Sequence, residues 1–508
     1  MTILDILEKD MQNNPQKIRV KFEDKSFTSH EFNLRINRLA NALKALGVKK
    51  GDRVGVLLKN CNQYLEIPFA TAKIGAITVT ANFRLKGREL THIFKDSGAK
   101  ILVTGFEFEA TIKEILPVLK EVNHVIGVGN EHGFSLDYEE ILRRSPEKSP
   151  IYNLTEDDVV FIMYTSGTTG LSKGAMLTSR NLISSVINEI SVIDTPTSSI
   201  ALQVMPLYHV VWVDTLHYIL RANTTVIANF DPENILKIIE KKRVTHTMMV
   251  PAMINALINY PDREKYDLKS IKLISYVGAP MPTSLLKQGI DIFGNIFLNQ
   301  YGVTETCACL SYLSPGEHVI CGSKKETKKL FSIGREQICC RIRILDDNGK
   351  IVPPGQVGEI AAKGPQIMKG YWNNIKETAK SIKNGWFHTG DLGYKDDGGY
   401  IYLVDRKVDM IISGGENIYS REIEDVLHSH HQIKDAAVIG IPDEKWGEQI
   451  KAYIVVKEGK ELIKDEIITF CGKNLAKFKI PKVIEFIDEL PKDPNGKVLK
   501  RILKQKRE

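Results

Sequence analysis

Short uninterrupted apolar runs alternate with stretches of helical spacing through the first three-fifths of the chain. Residues 54–58 (VGVLL) and 76–80 (AITVT) read as strands around a helix at 62–74. ELTHIFKDSGA (89–99) has helical spacing and a glycine near its end, and KILVT (100–104) follows as a strand. VVFIM (159–163), TTVIA (224–228) and THTMMV (245–250) fit buried strands between further helical segments. Strands apolar on both faces, separated by helices, predict parallel sheets covered by helices. DDNGK (346–350), between RIRIL and IVPPG, is a hairpin signal and predicts a change to antiparallel structure near 335–400. VDRKVDMIISGGE (404–416) reads as a boundary; after it REIEDVLHSH has an amphipathic helical pattern and AAVIGIP reads as a strand. The expectation is an α/β chain. A large N-terminal region, 1–404, has parallel sheets flanked by helices plus a β-rich part, and a small mobile α+β domain spans 405–508.

Composition narrows the class. At about 150 residues per domain the 508 residues allow two to four domains. Hydrophobic residues at 43% and charged residues at 26% argue against global disorder. The net charge, +7 from 69 basic and 62 acidic residues, is too small at this length to mark a nucleic-acid binder and is compatible with a polyanionic small ligand. No apolar run reaches the roughly 18 residues of a membrane-spanning helix. The start, MTILDILEKDMQNN, carries acids where a signal peptide needs a basic patch. Seven cysteines (61, 307, 309, 321, 339, 340, 471) include five between 307 and 340 without paired C-x-x-C spacing, so small buried thiols are expected rather than zinc. The cytoplasm is the expected location; peripheral contact with a bilayer and a homodimer both stay open.

One segment stands out chemically. Tyr164-Thr-Ser-Gly-Thr-Thr-Gly-Leu-Ser-Lys-Gly174 follows the run 159–163 directly. Its glycines let backbone approach a ligand, four hydroxyls and free N–H groups suit phosphate oxygens, and Lys173 supplies a cation. It lacks the Gly-Lys-Ser/Thr order of a Walker loop. Composition alone favours a plain Gly/Ser/Thr-rich surface loop.

At this loop the chain resembles the adenylate-forming superfamily: acyl- and aryl-CoA synthetases, adenylation domains of peptide synthetases, and firefly-type luciferases. Thr165–Lys173 fits that family's AMP-binding signature. Seven further motifs follow in order: Pro206-Leu-Tyr-His-Val210, Gly278-Ala-Pro280, Gln300-Tyr-Gly-Val-Thr-Glu305, Thr389-Gly-Asp391, Asp405-Arg406, Ser413-Gly-Gly-Glu-Asn417 and Pro494-Asn-Gly-Lys497. The wording around Asn82-Phe-Arg-Leu85 looks most like fatty-acid–CoA ligases.

The resemblance implies a reaction and a cast. A carboxylate attacks the α-phosphate of ATP, pyrophosphate leaves, and a thiol displaces AMP from the acyl-adenylate. Such chemistry needs charge neutralisation and positioning more than a protein nucleophile. Catalytic roles fall to Lys497, Lys173, Glu305 and His209. Thr165, Ser166, Gly167, Thr168, Thr169, Gly170 and Lys173 would hold the β- and γ-phosphates, and Glu305 with Thr165 a Mg²⁺ ion. Gly278, Ala279, Pro280, Gln300, Tyr301, Gly302 and Thr304 belong to the nucleotide site, with Asp391 on the ribose and Arg406 on ribose or phosphate. Lys497 would bridge carboxylate and α-phosphate. His209, Val210, Trp212, Val213, Tyr276 and Val303 would line an acyl pocket, with Val277, Gly278, Gly302 and Cys307 beside them; Gly302 would leave its floor open. The pocket list carries no arginine for a second carboxylate, so an uncharged hydrophobic acid is expected. Asp405 is the hinge position of a C-terminal lid. Ser413, Gly414, Gly415, Trp446, Phe478, Lys479 and Lys482 would meet CoA, although Ile480 stands where some relatives have arginine.

The leading function is therefore an ATP-dependent fatty acid–CoA ligase for medium to long chains. Alternatives are an aryl-CoA ligase for benzoate- or cinnamate-like acids, a stand-alone enzyme loading an acyl carrier protein, a luciferase-like oxygenase, and a non-catalytic nucleotide binder.

Overall fold

The apolar runs pair in parallel, as their two-faced hydrophobicity requires. The computed structural model describes residues 1–129, 133–150, 154–165, 172–413, 416–492 and 498–505. The chain divides into two compact units: Met1–Ile342 with Ala362–Phe387, and Arg343–Ala361 with His388–Glu508. Each run read above as a strand is one, within two residues of its expected ends in the first unit and within three for 436–442, which lies in Ile433–Asp443.

The first unit contains two large sheets. In one, Arg53–Leu57 lies parallel between Ile77–Thr80 and Ala99–Gly105, with His124–Val128 beyond. Val159–Thr165 joins parallel to Ile77–Thr80, and Lys173–Thr178 turns back antiparallel to it. In the other, Thr224–Ile227, Ile200–Gln203, His246–Met249, Leu273–Tyr276 and Phe297–Tyr301 follow one another in parallel, and Ser311–Leu313 turns back antiparallel.

Local chemistry sets the helix ends. Gly87–Ser97 stops where Gly98 takes φ 61°, the left-handed conformation that costs glycine nothing. Thr178, the last residue of its strand, caps Ser179–Ile190 with its hydroxyl, and Asn181 reciprocates. The helix Asn62–Ala72 is buried at every residue and runs through the core. There Trp212 packs against Phe69 and Phe161, ring centroids 5.1 and 5.0 Å away.

The second unit is rich in antiparallel strands, as expected from 335 onward. DDNGK is a tight turn: the Asp346 N–H donates to the Lys350 carbonyl at 2.9 Å, and Leu345 pairs antiparallel with Ile351. Trp386–Lys395 pairs antiparallel with Ile401–Arg406. A second sheet is built on the long ribbon Ile433–Asp443 and Gly447–Val456, with Val483–Phe486 added in parallel. Ser420–His428 and Lys464–Asn474 contribute Ile423, Leu427, Ile467 and Cys471 to its core. No helix among the described residues is long and apolar enough to cross a membrane.

Candidate active site

Open parallel sheets bind ligands at the carboxyl ends of their strands. The motif residues of the first unit gather at those ends. Thr165 ends Val159–Thr165 and Tyr301 ends Phe297–Tyr301. Asn82–Leu85 follows Ile77–Thr80, His209 follows Ile200–Gln203, and Gly278 follows Leu273–Tyr276.

Two sheets meet through side chains at this edge. The Thr165 hydroxyl donates to Glu305 Oε1 at 3.4 Å, and the Tyr371 hydroxyl donates to the same oxygen at 2.8 Å. Burial and the Glu305 charge push the Tyr371 hydroxyl well above its ordinary value, so it remains a donor. The Glu305 carbonyl accepts from the Met368 N–H at 2.8 Å, which fixes its backbone. Lys173 lies opposite Thr165 across the strand pair. Its ammonium forms a 2.5 Å ion pair with Glu377 and sits 5.4 Å from the Tyr371 ring centroid. Lys173 and Lys380 hold the Glu377 carboxyl down to about 2. Tyr371 and Glu377 escape a reading by motif: they lie some two hundred positions from Lys173, and only the aromatic pair in KGYWNN hinted at them.

The turn 302–310 is tightly folded. A Cβ built on Gly302 would stand 1.7 Å from the Ala308 carbonyl oxygen, so this position has room for glycine alone. Cys307 and Ala308 adopt φ 51° and 79°, left-handed values that cost non-glycine residues free energy. Thr306 holds the turn by donating its hydroxyl to the Val303 and Ala308 carbonyls at 2.9 and 3.0 Å. The Cys309 thiol donates to Gln300 Oε1 at 2.9 Å, and Cys307, Cys309 and Cys340 are buried.

Among the acyl-pocket candidates, His209, Val210, Val277 and Val303 are half-buried, whereas Trp212 and Val213 are fully buried. The Tyr208 ring meets Phe83 edge-on at 5.5 Å and His209 at 4.3 Å. The Tyr276 hydroxyl is tied to His318 Nε2 at 2.9 Å. Gly278 needs its φ of 86°, and Ala279 and Pro280 are exposed.

The helix Trp212–Leu220 turns polar one turn on. Asp214 and His217 are buried against Glu189, with His217 Nδ1 3.6 Å from Glu189 Oε2. Burial pushes both carboxyls up, Asp214 to about 7, and the imidazole down to about 3, so below about pH 7 protonated carboxyls stand beside a neutral imidazole instead of an ion pair. The unfolded chain releases the Asp214 proton near pH 4, while the folded chain holds it to higher pH. Stability therefore falls as pH rises above about 4, until Asp214 ionises in the folded state. Asp214→Asn is expected to raise Tm more at pH 8 than at pH 5. Thermal melts at the two pH values check this, and an equal shift at both would remove Asp214 as the cause.

The second unit brings together its own motif residues. Asp391 and Arg406 face each other across paired strands, Arg406 Nε 3.5 Å from Asp391 Oδ1. Asp405 is buried; its carboxylate accepts from the Ser420 hydroxyl at 2.8 Å and from the Arg406 N–H at 2.7 Å. Ser413 pairs with Gly447, beside Trp446 at the tip of the long ribbon. Trp446 is 42% exposed, with the Lys445 and Lys482 ammoniums 5.0 and 5.1 Å from its ring. Phe478 is exposed. Lys479 is engaged with both carboxylate oxygens of Glu422 at 2.7 Å.

Sequence comparison matches residues 7–372 to the AMP-binding enzyme family and residues 422–497 to the AMP-binding enzyme C-terminal domain. The chain belongs to the AMP-binding enzyme family. It is 36% identical over 490 residues to a feruloyl-CoA synthase of Amycolatopsis sp, covering 96% of this chain and 95% of that one. It is 35% identical over 485 residues to the long-chain-fatty-acid–CoA ligase FadD13 of Mycobacterium tuberculosis, covering 95% and 93%. Its fold resembles o-succinylbenzoate CoA synthetase of Bacillus subtilis in complex with an acyl-adenylate, with TM-score 0.87, 32% identity, and 99% and 98% of the two chains covered. This AMP-binding enzyme is an AMP-forming acid–thiol ligase with the mixed α/β adenylate-forming fold. Ser166, Gly167, Thr168, Thr169, Gly170, Gly414, Gly415 and Lys497 lie outside the described residues.

Proposed function

We propose that this AMP-binding enzyme activates uncharged hydrophobic acids, medium- to long-chain fatty acids first, and transfers them to CoA. The observation that carries the reading is the meeting of Thr165, Glu305 and Lys173 at the carboxyl edge of the strands, on both sides of the glycine-rich loop. Lys173 neutralises the phosphates that leave as pyrophosphate. Glu305 and the Thr165 hydroxyl are adjacent hard oxygen donors and fit a Mg²⁺ ion, which would offset phosphate charge. Lys497 steadies the charge that develops as the carboxylate oxygen attacks phosphorus. Asp391 and Arg406 serve the ribose and its phosphate. In the second half-reaction the CoA sulfur attacks the acyl carbonyl and AMP leaves. Asp405 is the hinge that exchanges the two poses of the C-terminal domain.

Of the half-buried pocket candidates His209, Val210, Val277 and Val303, three are valines and none is an arginine or lysine that would pair a second carboxylate. An aromatic or otherwise compact acid is the second reading. One observation favours it: the chain is 36% identical to a feruloyl-CoA synthase, whose named acid is aromatic.

Pyrophosphate release with Mg-ATP over straight-chain and aromatic acids, with and without CoA, tests both readings. CoA-dependent turnover peaking on fatty acids supports the first, and a peak on aromatic acids the second. Release that CoA does not stimulate, or that needs an acyl carrier protein, overturns CoA as acceptor.

Trp446, exposed between two ammoniums, suits the adenine and phosphates of CoA. A base stacked on an aromatic ring contributes about 1–3 kcal/mol. Trp446→Ala is thus expected to raise KM for CoA by about fivefold or more and leave adenylation unchanged. Steady-state kinetics in CoA, beside CoA-free pyrophosphate release, read the two effects separately.

A further inference from the structure

The glycine-rich loop emerges from Tyr164 on one side and returns at Ser172 on the other. Both stems are tied to one helix, Gly87–Ser97. Its His92 and Asp96 are four residues apart and so share a helix face. Asp96 Oδ2 accepts from the Tyr164 hydroxyl at 2.6 Å. His92 Nε2 lies 2.9 Å from the Ser172 carbonyl oxygen, which obliges that nitrogen to carry the proton and donate. The His92 and Tyr164 rings meet edge-on at 6.2 Å. Burial and the neighbouring Asp96 push the Tyr164 hydroxyl well above its ordinary value, so it keeps its proton and its bond.

The helix end is anchored in turn. The Asp96 carbonyl, near the C-terminus where helical carbonyls lack intrahelical partners, accepts from Trp372 Nε1 at 3.1 Å. The Trp372 N–H donates to the Gly174 carbonyl at 2.7 Å, on the strand that leaves the loop. Arg53 donates to the Gly98 carbonyl at 2.8 Å. Helix, entering strand and leaving strand thus form a closed ring of hydrogen bonds around the base of the loop.

We propose that His92 and Asp96 are positioning residues of the adenylation half-reaction: they hold Tyr164 and Ser172, the two stems of the phosphate loop, at a fixed separation, so that nucleotide binding does not have to bring the stems together. Neither residue touches substrate. The inference rests on reading the loop as the site of the β- and γ-phosphates. A loop whose ends are free must be ordered by the nucleotide itself, and that cost appears in nucleotide affinity. It does not appear in thioester formation, where pyrophosphate has already left.

The test uses the full-length enzyme with His92→Phe, His92→Gln and Tyr164→Phe. His92→Phe removes the donor to Ser172, and the amide of His92→Gln restores one. Loss of one such bond corresponds to about a five- to tenfold change. We expect KM for Mg-ATP to rise by about that factor in His92→Phe and Tyr164→Phe, with recovery in His92→Gln. Conversion of supplied acyl-adenylate and CoA to thioester should match wild type in all three. Equal losses in both half-reactions, or no recovery in His92→Gln, would overturn the proposal by reducing His92 to a fold contact. Lys173→Ala is the control for the parent reading. If it leaves KM for Mg-ATP unchanged, the loop is not the phosphate site. If it raises KM while His92→Phe does not, the loop reading stands and the positioning role fails.

Discussion

Lys497→Ala is expected to slow pyrophosphate release by about 10²–10³-fold while leaving thioester formation from supplied acyl-adenylate near wild type. In adenylation, negative charge gathers where the carboxylate oxygen meets the α-phosphate. A single ammonium there stabilises the transition state more than the separated reactants, so its loss falls on kcat. In thioester formation the phosphoanhydride bond is already broken and that charge does not develop. The substitution should leave the fold alone, because the chain is fastened on either side of 493–497. Lys492 pairs with Asp435 at 2.6 Å and Lys500 with Glu424 at 2.7 Å, and Lys492 and Val498 bridge antiparallel. Rapid-quench assays of the two half-reactions decide the matter, and parallel loss in both would remove Lys497 from its role.

Gly302→Ala should be nearly as damaging, for a purely steric reason. The new methyl would lie 1.7 Å from the Ala308 carbonyl oxygen, and backbone cannot rotate away as a side chain can. Overpacking costs about 1–3 kcal/mol where side chains yield, and more is expected here. The turn that must move carries Thr304 and Glu305 and is held by Thr306. Displacing reacting groups by about 1 Å costs on the order of 10²-fold in rate. A lower Tm with a loss of kcat/KM for Mg-ATP is the expected pair of results. Wild-type kinetics in the variant would show that the chain does not approach itself this closely. The role given to Gly302 on sequence grounds, an open pocket floor, is thus joined by a second reason for glycine.

The strands of the first unit were legible because each is apolar on both faces, and such runs have few alternatives in a helix-covered sheet. Gly98 was legible as a helix end, since a glycine after the last apolar position has a specific conformational use. DDNGK revealed its turn for the same reason. Thr165, Lys173 and Glu305 were legible through motif wording, and the fold brings Thr165 and Glu305 into contact. Other parts left no local trace. Tyr371 and Glu377 reach the site through pairing of Gly370–Tyr371 with the strand Lys173–Thr178, a contact across nearly two hundred residues. The left-handed backbone at Cys307 and Ala308 is invisible because neither is glycine; the surrounding turn imposes it. The buried Glu189–Asp214–His217 group was equally hidden, because its character comes from burial by distant elements.

The interleaving of the two units has a consequence for biogenesis. The first unit is interrupted at residue 342 and resumes only at 362. A ribosome therefore emits the opening segment of the second unit before it has delivered Tyr371 and Glu377 to the first. The Glu305 carboxylate and the Lys173 ammonium must wait for their partners while nascent chain continues to emerge. A gene fragment stopping at 342 would encode neither unit, and fusion or splitting of this ligase for biotechnology has no clean cut at that point.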